Sequence, residues 1–410
     1  MKETNTTGFS AAGLRRLHDV LAAHVESGKI PGLVALISRD GRTHVEALGT
    51  MRHDGGAAMR RDTLFRMAST SKPVTTAAAM VLLDECRLRL DDPVDEWLPE
   101  LADRRVLRRP DGPLTDTVPA RRSITVRDLL TSTFGLGMDF DLLTAPIRAA
   151  VFEKTDYSVA SGPAPDQDEW MRRLGELPLS YQPGERWQYD LSNEVLGVLV
   201  SRVAGSSLEA FLRERVLDPL GMRDTGFHVP AARIDRLPPL YGPDPGTGEF
   251  LLWDAAAGGR VSAPPAFQGA GGGLVSTADD YHAYFRMLLN GGVHEGTRIL
   301  SRAAVALMTT NCLTPEQQSA RDAMYRGIAH LSCGQGLHGG WGFGMAVRTY
   351  RGGYAPVGQF GWDGGSGTSA YADPVNRLTG ILLTQVGMST LDSPRLAADF
   401  WTTVYQALGD

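Results

Sequence analysis

Residues 65–82 read FRMASTSKPVTTAAAMVL, in which a serine, a lysine three positions later and a proline stand just before a long apolar run. Its apolar positions follow helical spacing, and proline is tolerated only in the first turn of a helix. The pattern therefore predicts a helix that begins between Ser69 and Lys72. In a first turn, residues i and i+3 share a face, which places the Lys72 amine within hydrogen-bond reach of the Ser69 hydroxyl. The free N–H groups of the helix start favour an oxyanion beside that hydroxyl.

A serine activated by an amine is a nucleophile, whereas the alternative is that the two residues stand at this spacing by chance. The scarcity of lysine makes chance less frequent, since Lys2, Lys29, Lys72 and Lys154 are the only lysines. Two-residue patterns still recur often without function. The motif therefore predicts nucleophilic catalysis only when other elements of a catalytic site accompany it.

Outward from this helix, strand patterns occupy the two ends of the chain and helical patterns the middle. Helices are predicted at 10–27, 126–130, 168–177, 195–203, 208–216, 278–289 and 397–407, and strands at 33–38, 43–48, 344–350, 368–372 and 380–385. The segments 104–122 and 227–270 are rich in Pro or Gly and are expected to be irregular. Strands at both ends predict one sheet assembled from both termini.

The expected fold class is α+β, an antiparallel sheet flanked by helices with a mostly helical domain inserted. Residues 1–88 and 268–410 are predicted to form the sheet domain, and residues 89–267 the insertion. The active site is expected in the cleft between the two.

Composition excludes several classes of protein. The 410 residues are 42% hydrophobic and 21% charged, which is typical of a globular protein. A net charge of −6 gives no cationic field for nucleic acid or an anionic membrane, and no run is long and apolar enough to span a bilayer. Cys86, Cys312 and Cys333 suggest neither a disulfide framework nor a zinc site, and the first seven residues show no leader. We expect a cytoplasmic protein without metal or organic cofactor.

Two further motifs lie far along the chain. Residues 182–193 read QPGERWQYDLSN, and residues 360–368 read FGWDGGSGT ahead of a predicted strand. With S-x-x-K, and with IPG at 30–32 and GGGLVST at 271–277, these resemble the serine β-lactamase and penicillin-binding-protein superfamily. The resemblance is to its class C branch and the esterases similar to it. It implies a β-lactamase/transpeptidase-like fold.

Carried over to this sequence, the resemblance makes Ser69 the acylated nucleophile, Lys72 its proton partner and Tyr189 the tyrosine of the second motif. The N–H groups of Ser69 and Gly365 would form the oxyanion hole. An ammonium near a phenol stabilises the phenolate, and burial of Lys72 is expected to lower the pKa of its amine toward neutrality. The sequence leaves open which of Lys72 and Tyr189 takes the serine proton. A purely structural alternative for Tyr189 is an aromatic anchor beside Trp187.

Two departures from the family pattern bear on the substrate. Trp362, followed by Asp363 and Gly364, stands where class C β-lactamases carry a lysine suited to a substrate carboxylate. Leu191 stands where they carry an asparagine that hydrogen-bonds a lactam side chain. These four residues are predicted to contact substrate, and they favour neutral esters over β-lactams.

The resulting prediction is a carboxylesterase-type serine hydrolase that acts on a small-molecule ester or acyl substrate through an acyl-serine. One alternative is an acyltransferase, in which an alcohol or amine replaces water; others are a D-amino-acid peptidase or a weak β-lactamase. From a different class, the chain could be a non-catalytic binding or sensor protein of the same fold.

Overall fold

The structure is a computed structural model that describes residues 8–139, 142, 144–155, 165–244, 246–327, 335–388 and 392–409. For residues 392–394 it describes the backbone only. Residues 1–7, on which the prediction of no leader rests, and Cys333 lie outside these ranges.

The described residues contain eleven α-helices and sixteen strands. The helices are α1 (Ala11–Glu26), α2 (Ser71–Asp84), α3 (Val126–Leu130), α4 (Pro146–Thr155), α5 (Gln167–Gly175), α6 (Leu191–Ala204), α7 (Leu208–Leu212), α8 (Ala278–Leu289), α9 (Arg302–Met308), α10 (Pro315–Gly327) and α11 (Asp392–Gln406). The strands are β1 (Gly32–Arg39), β2 (Arg42–Arg52), β3 (Gly55–Ala58), β4 (Phe65–Arg66), β5 (Arg105–Leu107), β6 (Thr117–Pro119), β7 (Leu240–Pro243), β8 (Phe250–Asp254), β9 (Val275–Ser276), β10 (Val293–His294), β11 (Thr297–Arg298), β12 (Gly339–Trp341), β13 (Ala346–Arg348), β14 (Phe360–Gly364), β15 (Thr368–Asp373) and β16 (Leu378–Thr384).

The main sheet joins the two ends of the chain. Its strand order within the described residues is β12-β13-β14-β15-β16-β1-β2-β3, and every neighbouring pair is antiparallel. At its centre β1 pairs with β16, with Leu36 opposite Ile381. The predicted α+β class with an antiparallel sheet is confirmed, while the division into domains stays a prediction.

Both faces of the sheet are covered by helices. Leu33 and Ile37 of β1 pack in one apolar cluster with Phe400 of α11 and Leu17 of α1. Alternate residues of β1 point to the opposite face, in the cluster that contains α8. Burial on both faces explains why β1 is a continuous apolar run rather than an alternating one.

Helix α2 crosses the interior of the molecule. Its residues 71–82 are all buried, and it packs against α6. From α8, the Tyr284 hydroxyl donates a hydrogen bond to the Pro73 carbonyl at 2.6 Å, and Tyr281 donates to the Thr70 carbonyl. A fully buried helix held in this way gives its first turn a fixed position, which matters because the S-x-x-K motif lies there.

The predicted helices are present, whereas α4, α9 and α10 and several strands were not predicted. The segments 104–122 and 227–270, expected to be irregular, contain the β5–β6 and β7–β8 pairs. Residues 360–364, expected only to precede a strand, form β14 itself. These strands are short or contain Gly, Pro and Asp, which are depleted in strands, so their pattern is weak.

Among the described helices, none is by itself both long and apolar enough to cross a membrane. One pair of helices, Leu191–Ala204 and Leu208–Leu217, reaches the required length and composition only when the two are counted together, and the chain bends by 79° between them.

Candidate active site

Ser69 lies in a short 3₁₀ turn, Ala68–Thr70, which leads directly into α2. Ala68 has φ +46°, a left-handed conformation that residues other than glycine rarely adopt. The Thr70 hydroxyl closes the turn by donating to the Met67 carbonyl at 2.6 Å. Ser69 itself is half-buried, whereas Thr70 and the helix that follows are buried. The strained turn therefore leaves the Ser69 side chain accessible at the start of α2.

Lys72 is fully buried and its amine is surrounded by oxygen atoms. The Nζ atom donates to Ser69 Oγ at 3.1 Å and to the Gly271 carbonyl at 2.6 Å, and it forms an ion pair with the Asp190 carboxylate. It also lies 4.7 Å from the centroid of the Tyr189 ring. One amine therefore brings together two of the predicted catalytic residues, and a carboxylate that the sequence did not predict.

The charge state of Lys72 follows from these neighbours. Burial on its own lowers the pKa of a lysine, but Asp190, with smaller contributions from Tyr189 and Glu194, outweighs it and raises the pKa of Lys72 above its usual value. The sequence-based expectation that burial brings this amine close to neutrality is therefore wrong. The physical reason is the carboxylate of Asp190 in contact with Nζ.

Tyr189 is held by an aromatic cluster and by its backbone. Its backbone exchanges two hydrogen bonds with Met138, at 2.8 and 3.2 Å. The indole N–H of Trp362 donates to the Tyr189 hydroxyl at 2.7 Å, and the two rings lie 5.3 Å apart. Trp341 packs edge-on against Trp362 at 4.8 Å, and Trp187 against Trp341 at 5.4 Å. Trp362 is thus a direct hydrogen-bond partner of Tyr189 as well as an aromatic wall.

Asp190 and Glu194 are the site residues that sequence analysis missed. Both lie at the start of α6, one turn apart, and so share a face. Glu194 is half-buried, and its partial burial together with the nearby Asp190 raises the pKa of its carboxyl to about 7, although Lys72 and the N–H groups of Gly271 and Ala270 lower it. The signal available in the sequence was the i, i+4 spacing of two acids directly after the tyrosine of the second motif.

The third motif is attached to the turn that carries Ser69. Ser366 donates to the Arg66 carbonyl, and Thr368 donates to the Met67 carbonyl at 3.0 Å. A Cβ added at Gly364 would lie 2.4 Å from the Met67 carbonyl oxygen, so only glycine allows this close approach of two backbones. The strand that ends at Gly364 is therefore fixed against the segment just before the nucleophile.

Gly365 follows at the open end of that strand. A Cβ added there would meet no atom within 4 Å, and its carbonyl accepts a hydrogen bond from the Met388 N–H at 2.9 Å. Its position next to Gly364 is compatible with the predicted oxyanion hole. That role stays a prediction.

Two predicted substrate contacts lie apart from this group. Asp363 alternates with Trp362 along β14 and so points to the opposite face, where it accepts a hydrogen bond from Tyr371 at 2.9 Å. It lines a cavity of about 590 Å³ between the sheet and α11. Leu191, only 1% exposed, begins α6 and lines a small, mainly apolar cavity with Ile147. Substrate contact by Asp363 is not supported by its placement.

Comparison with known proteins agrees with this geometry. The family model described as Beta-lactamase matches residues 17–398. Protein Rv1367c of Mycobacterium tuberculosis is 40% identical over 85% of this chain and 84% of that protein. Esterase EstB of Burkholderia gladioli is 32% identical over 95% of both. The solved structure of EstCE1, described as a hydrolase with promiscuous acyltransferase activity, superposes with a TM-score of 0.77 at 27% identity, covering 97% of this chain and 100% of that one. The chain belongs to the β-lactamase family.

Proposed function

We propose that the protein is a serine hydrolase of the carboxylesterase type, which cleaves small esters through an acyl-Ser69 intermediate. The observation that carries the proposal is the single amine of Lys72 in contact with the Ser69 hydroxyl and the face of the Tyr189 ring. The names of the relatives EstB and EstCE1 support the same class of reaction.

In the acylation step, Ser69 Oγ bonds to the ester carbonyl carbon and its proton passes to the Lys72–Tyr189 pair. The carbonyl oxygen gains negative charge, which the N–H groups of Ser69 and Gly365 would stabilise. The tetrahedral intermediate then expels the alkoxide, which takes the proton and leaves as the alcohol. Water then attacks the carbonyl carbon of the acyl-enzyme by the same steps, and the acid is released.

The neutral indole of Trp362 supports an ester substrate. Its N–H is directed to Tyr189, so this position supplies no cation for a substrate carboxylate. The proposal therefore favours esters with uncharged acyl groups over β-lactams and D-amino-acid peptides, whose carboxylate would lack that partner.

Acyl transfer is a second candidate, favoured by the description of EstCE1 as a hydrolase with promiscuous acyltransferase activity. It uses the same acyl-Ser69, and an alcohol or amine takes the place of water. Product analysis in the presence of an added alcohol separates the two, because a transferase forms the new ester faster than the free acid.

The test is a pre-steady-state burst with a 4-nitrophenyl ester, followed by mass spectrometry of the trapped enzyme. We expect one burst equivalent, a single acyl adduct on the peptide that contains Ser69, and loss of both in Ser69→Ala. Ser206→Ala, at an exposed position after α6, is the matched control and should retain both. Full turnover by Ser69→Ala, or an adduct on another residue, would refute the proposal.

A further inference from the structure

A second cavity lies between the main sheet and α8, on the face of the sheet opposite to α11. Its volume is about 100 Å³. Ser38 of β1 and Thr379 of β16 form its inner wall, because they stand directly opposite each other in the antiparallel ladder and so point to the same face. His282 of α8 completes this wall. None of the residues around the S-x-x-K motif lines the cavity, so it is separate from the candidate active site.

The three side chains of the inner wall are polar, buried and unpartnered. Ser38 is 2% exposed, Thr379 1% and His282 9%. Among the described residues, none of these side chains has a hydrogen-bond or ion-pair partner. Buried polar groups are nearly always hydrogen-bonded, because an unpaired one loses the free energy of its hydration without replacement. Two hydroxyls and an imidazole are therefore available to a ligand in the cavity.

The mouth of the cavity carries two guanidinium groups. Arg286 lies one turn after His282 on α8 and is exposed, and its side chain has no ion-pair partner in the part of the chain that the structure describes. Arg377 is already engaged, since its Nε donates to Asp40 at 2.6 Å and its Nη2 to Asn290 at 3.4 Å. Arg286 is therefore the cation at this mouth that is free to meet an anion, in a chain whose net charge is −6.

His282 is uncharged at neutral pH. Burial, with smaller contributions from Arg286, Arg61 and His294, lowers the pKa of its imidazole to about 4, although Asp279 opposes this shift. A neutral imidazole has one N–H donor and one acceptor nitrogen. His282 can therefore donate to an oxyanion and also accept a proton that the oxyanion carries.

The size and the polar groups of the cavity limit what it can hold. Sites for organic ligands are about 300–1,000 Å³, so a cavity of about 100 Å³ suits a single small ion. The guanidinium of Arg286, the two hydroxyls and the imidazole N–H are donors to oxygen. The acceptors are the second imidazole nitrogen and the Asp40 carboxylate, which also lines the cavity. Hydrogen phosphate offers both acceptor oxygens and an O–H, whereas sulfate has no proton for these acceptors.

We propose that this cavity is a phosphate-binding site, in which Arg286 pairs with the anion at the mouth and Ser38, Thr379 and His282 hold its oxygens inside. The ligand is inorganic phosphate or the phosphate end of a small monoester whose organic part stays outside the mouth. The site is independent of the chemistry proposed for Ser69. Since β1, β16 and α8 contribute to it only when they are packed together, phosphate binds the folded form and stabilises it.

The test is isothermal titration calorimetry of the full chain with inorganic phosphate at pH 7, in parallel with thermal unfolding at constant ionic strength. We expect one equivalent of phosphate, bound more tightly than sulfate. Arg286→Gln should weaken binding about tenfold or more, because it removes a charge-assisted hydrogen bond. Arg15→Gln is the matched control, since Arg15 is an exposed helix residue without an ion-pair partner among the described residues. Phosphate stabilises many proteins without binding at a site, so the difference between the two variants decides.

A second variant tests the inside of the cavity. Thr379→Val keeps the shape of the side chain and breaks no hydrogen bond within the described residues, so the Tm without phosphate should not fall. Phosphate binding should nevertheless weaken by about two- to tenfold. A lower Tm without phosphate, together with unchanged binding, would show that the hydroxyl is only structural and would overturn the inference.

Methyl phosphate distinguishes the two sources of the ligand. Binding of both compounds assigns the site to the phosphate end of a monoester, and binding of inorganic phosphate alone assigns it to the free anion; each result supports the proposal. No saturable heat from either compound, or equal binding by Arg286→Gln and Arg15→Gln, would overturn it. Neither result depends on acylation of Ser69, so the proposed function is tested separately.

Discussion

Trp362→Phe tests whether the indole N–H contributes to catalysis separately from the ring. Phenylalanine keeps an aromatic ring against Trp341 but removes the donor that lies 2.7 Å from the Tyr189 hydroxyl. That distance is at the short end for N–H···O and typical of bonds to a charged oxygen. A hydrogen bond to a charged group contributes about 1.5–3 kcal/mol, and each 1.36 kcal/mol is tenfold in rate. We therefore expect the acylation rate to fall by about 10- to 150-fold.

The assay is stopped-flow acylation with a 4-nitrophenyl ester, with thermal unfolding as a check on folding. Trp341→Phe is the matched control, because the buried Trp341 indole N–H has no hydrogen-bond partner among the described residues. Removing it breaks no such bond, so the acylation rate should stay within about threefold of wild type. A Trp362→Phe enzyme within twofold of wild type, or a Trp341→Phe enzyme slowed equally, would show that the indole acts only by packing.

Three further changes test the surroundings of the site. Gly364→Ala should lower kcat/KM by about a hundredfold in steady-state kinetics, because its Cβ would force the strand away from the nucleophile turn. Gly365→Ala should change the free energy of unfolding in denaturation by less than about 0.5 kcal/mol, because its Cβ meets no atom, and equal effects of the two variants in both measurements would contradict this reasoning. Arg66→Met should lower the free energy of unfolding in urea by about 3–5 kcal/mol, since it leaves Asp254, only 8% exposed, without the guanidinium that lies 2.6 Å away. A loss of less than about 1 kcal/mol would show that the two groups do not form a buried ion pair. The pKa of Glu194 is raised to about 7 from 4.5, so its protonated form stabilises the fold at low pH, and this contribution is lost as pH rises through 7. The free energy of unfolding of Glu194→Gln should therefore rise by about 3 kcal/mol relative to that of the wild type between pH 5 and pH 8, and a difference that stays constant with pH would argue against this.

The elements that sequence analysis predicted well are those whose pattern is set by burial. Helix 126–130 has the bounds predicted for it, and α8 matches residues 278–289. Strand β1 was recognisable because both of its faces are covered, which requires an unbroken apolar run. By contrast, β14 contains two glycines and an aspartate, since it must approach the nucleophile turn closely, and that requirement removes the usual strand signal.

For the site, the spacing of Ser69 and Lys72 was sufficient, because a helix turn dictates their contact. The role of Asp190 was not predictable in the same way. Its contact with Lys72 depends on a backbone angle that propensities disfavour, φ +90°, and on α2 and α6 packing side by side. The bond from Trp362 to Tyr189 likewise depends on tertiary packing, so the sequence predicted an aromatic surface there but no donor.

The pairing of β1 with β16 has a consequence for how the molecule is made. Strand β1 can pair with β2 as soon as both are made, but its other edge has to wait for β16, which begins at Leu378, so during synthesis that apolar edge stays open until more than 300 further residues have emerged. Chaperone dependence during translation is the expected outcome. Gly409 donates to the Gly8 carbonyl at 3.1 Å, so a circular permutant that links these ends and opens a surface loop would bring the two strands out of the ribosome in succession.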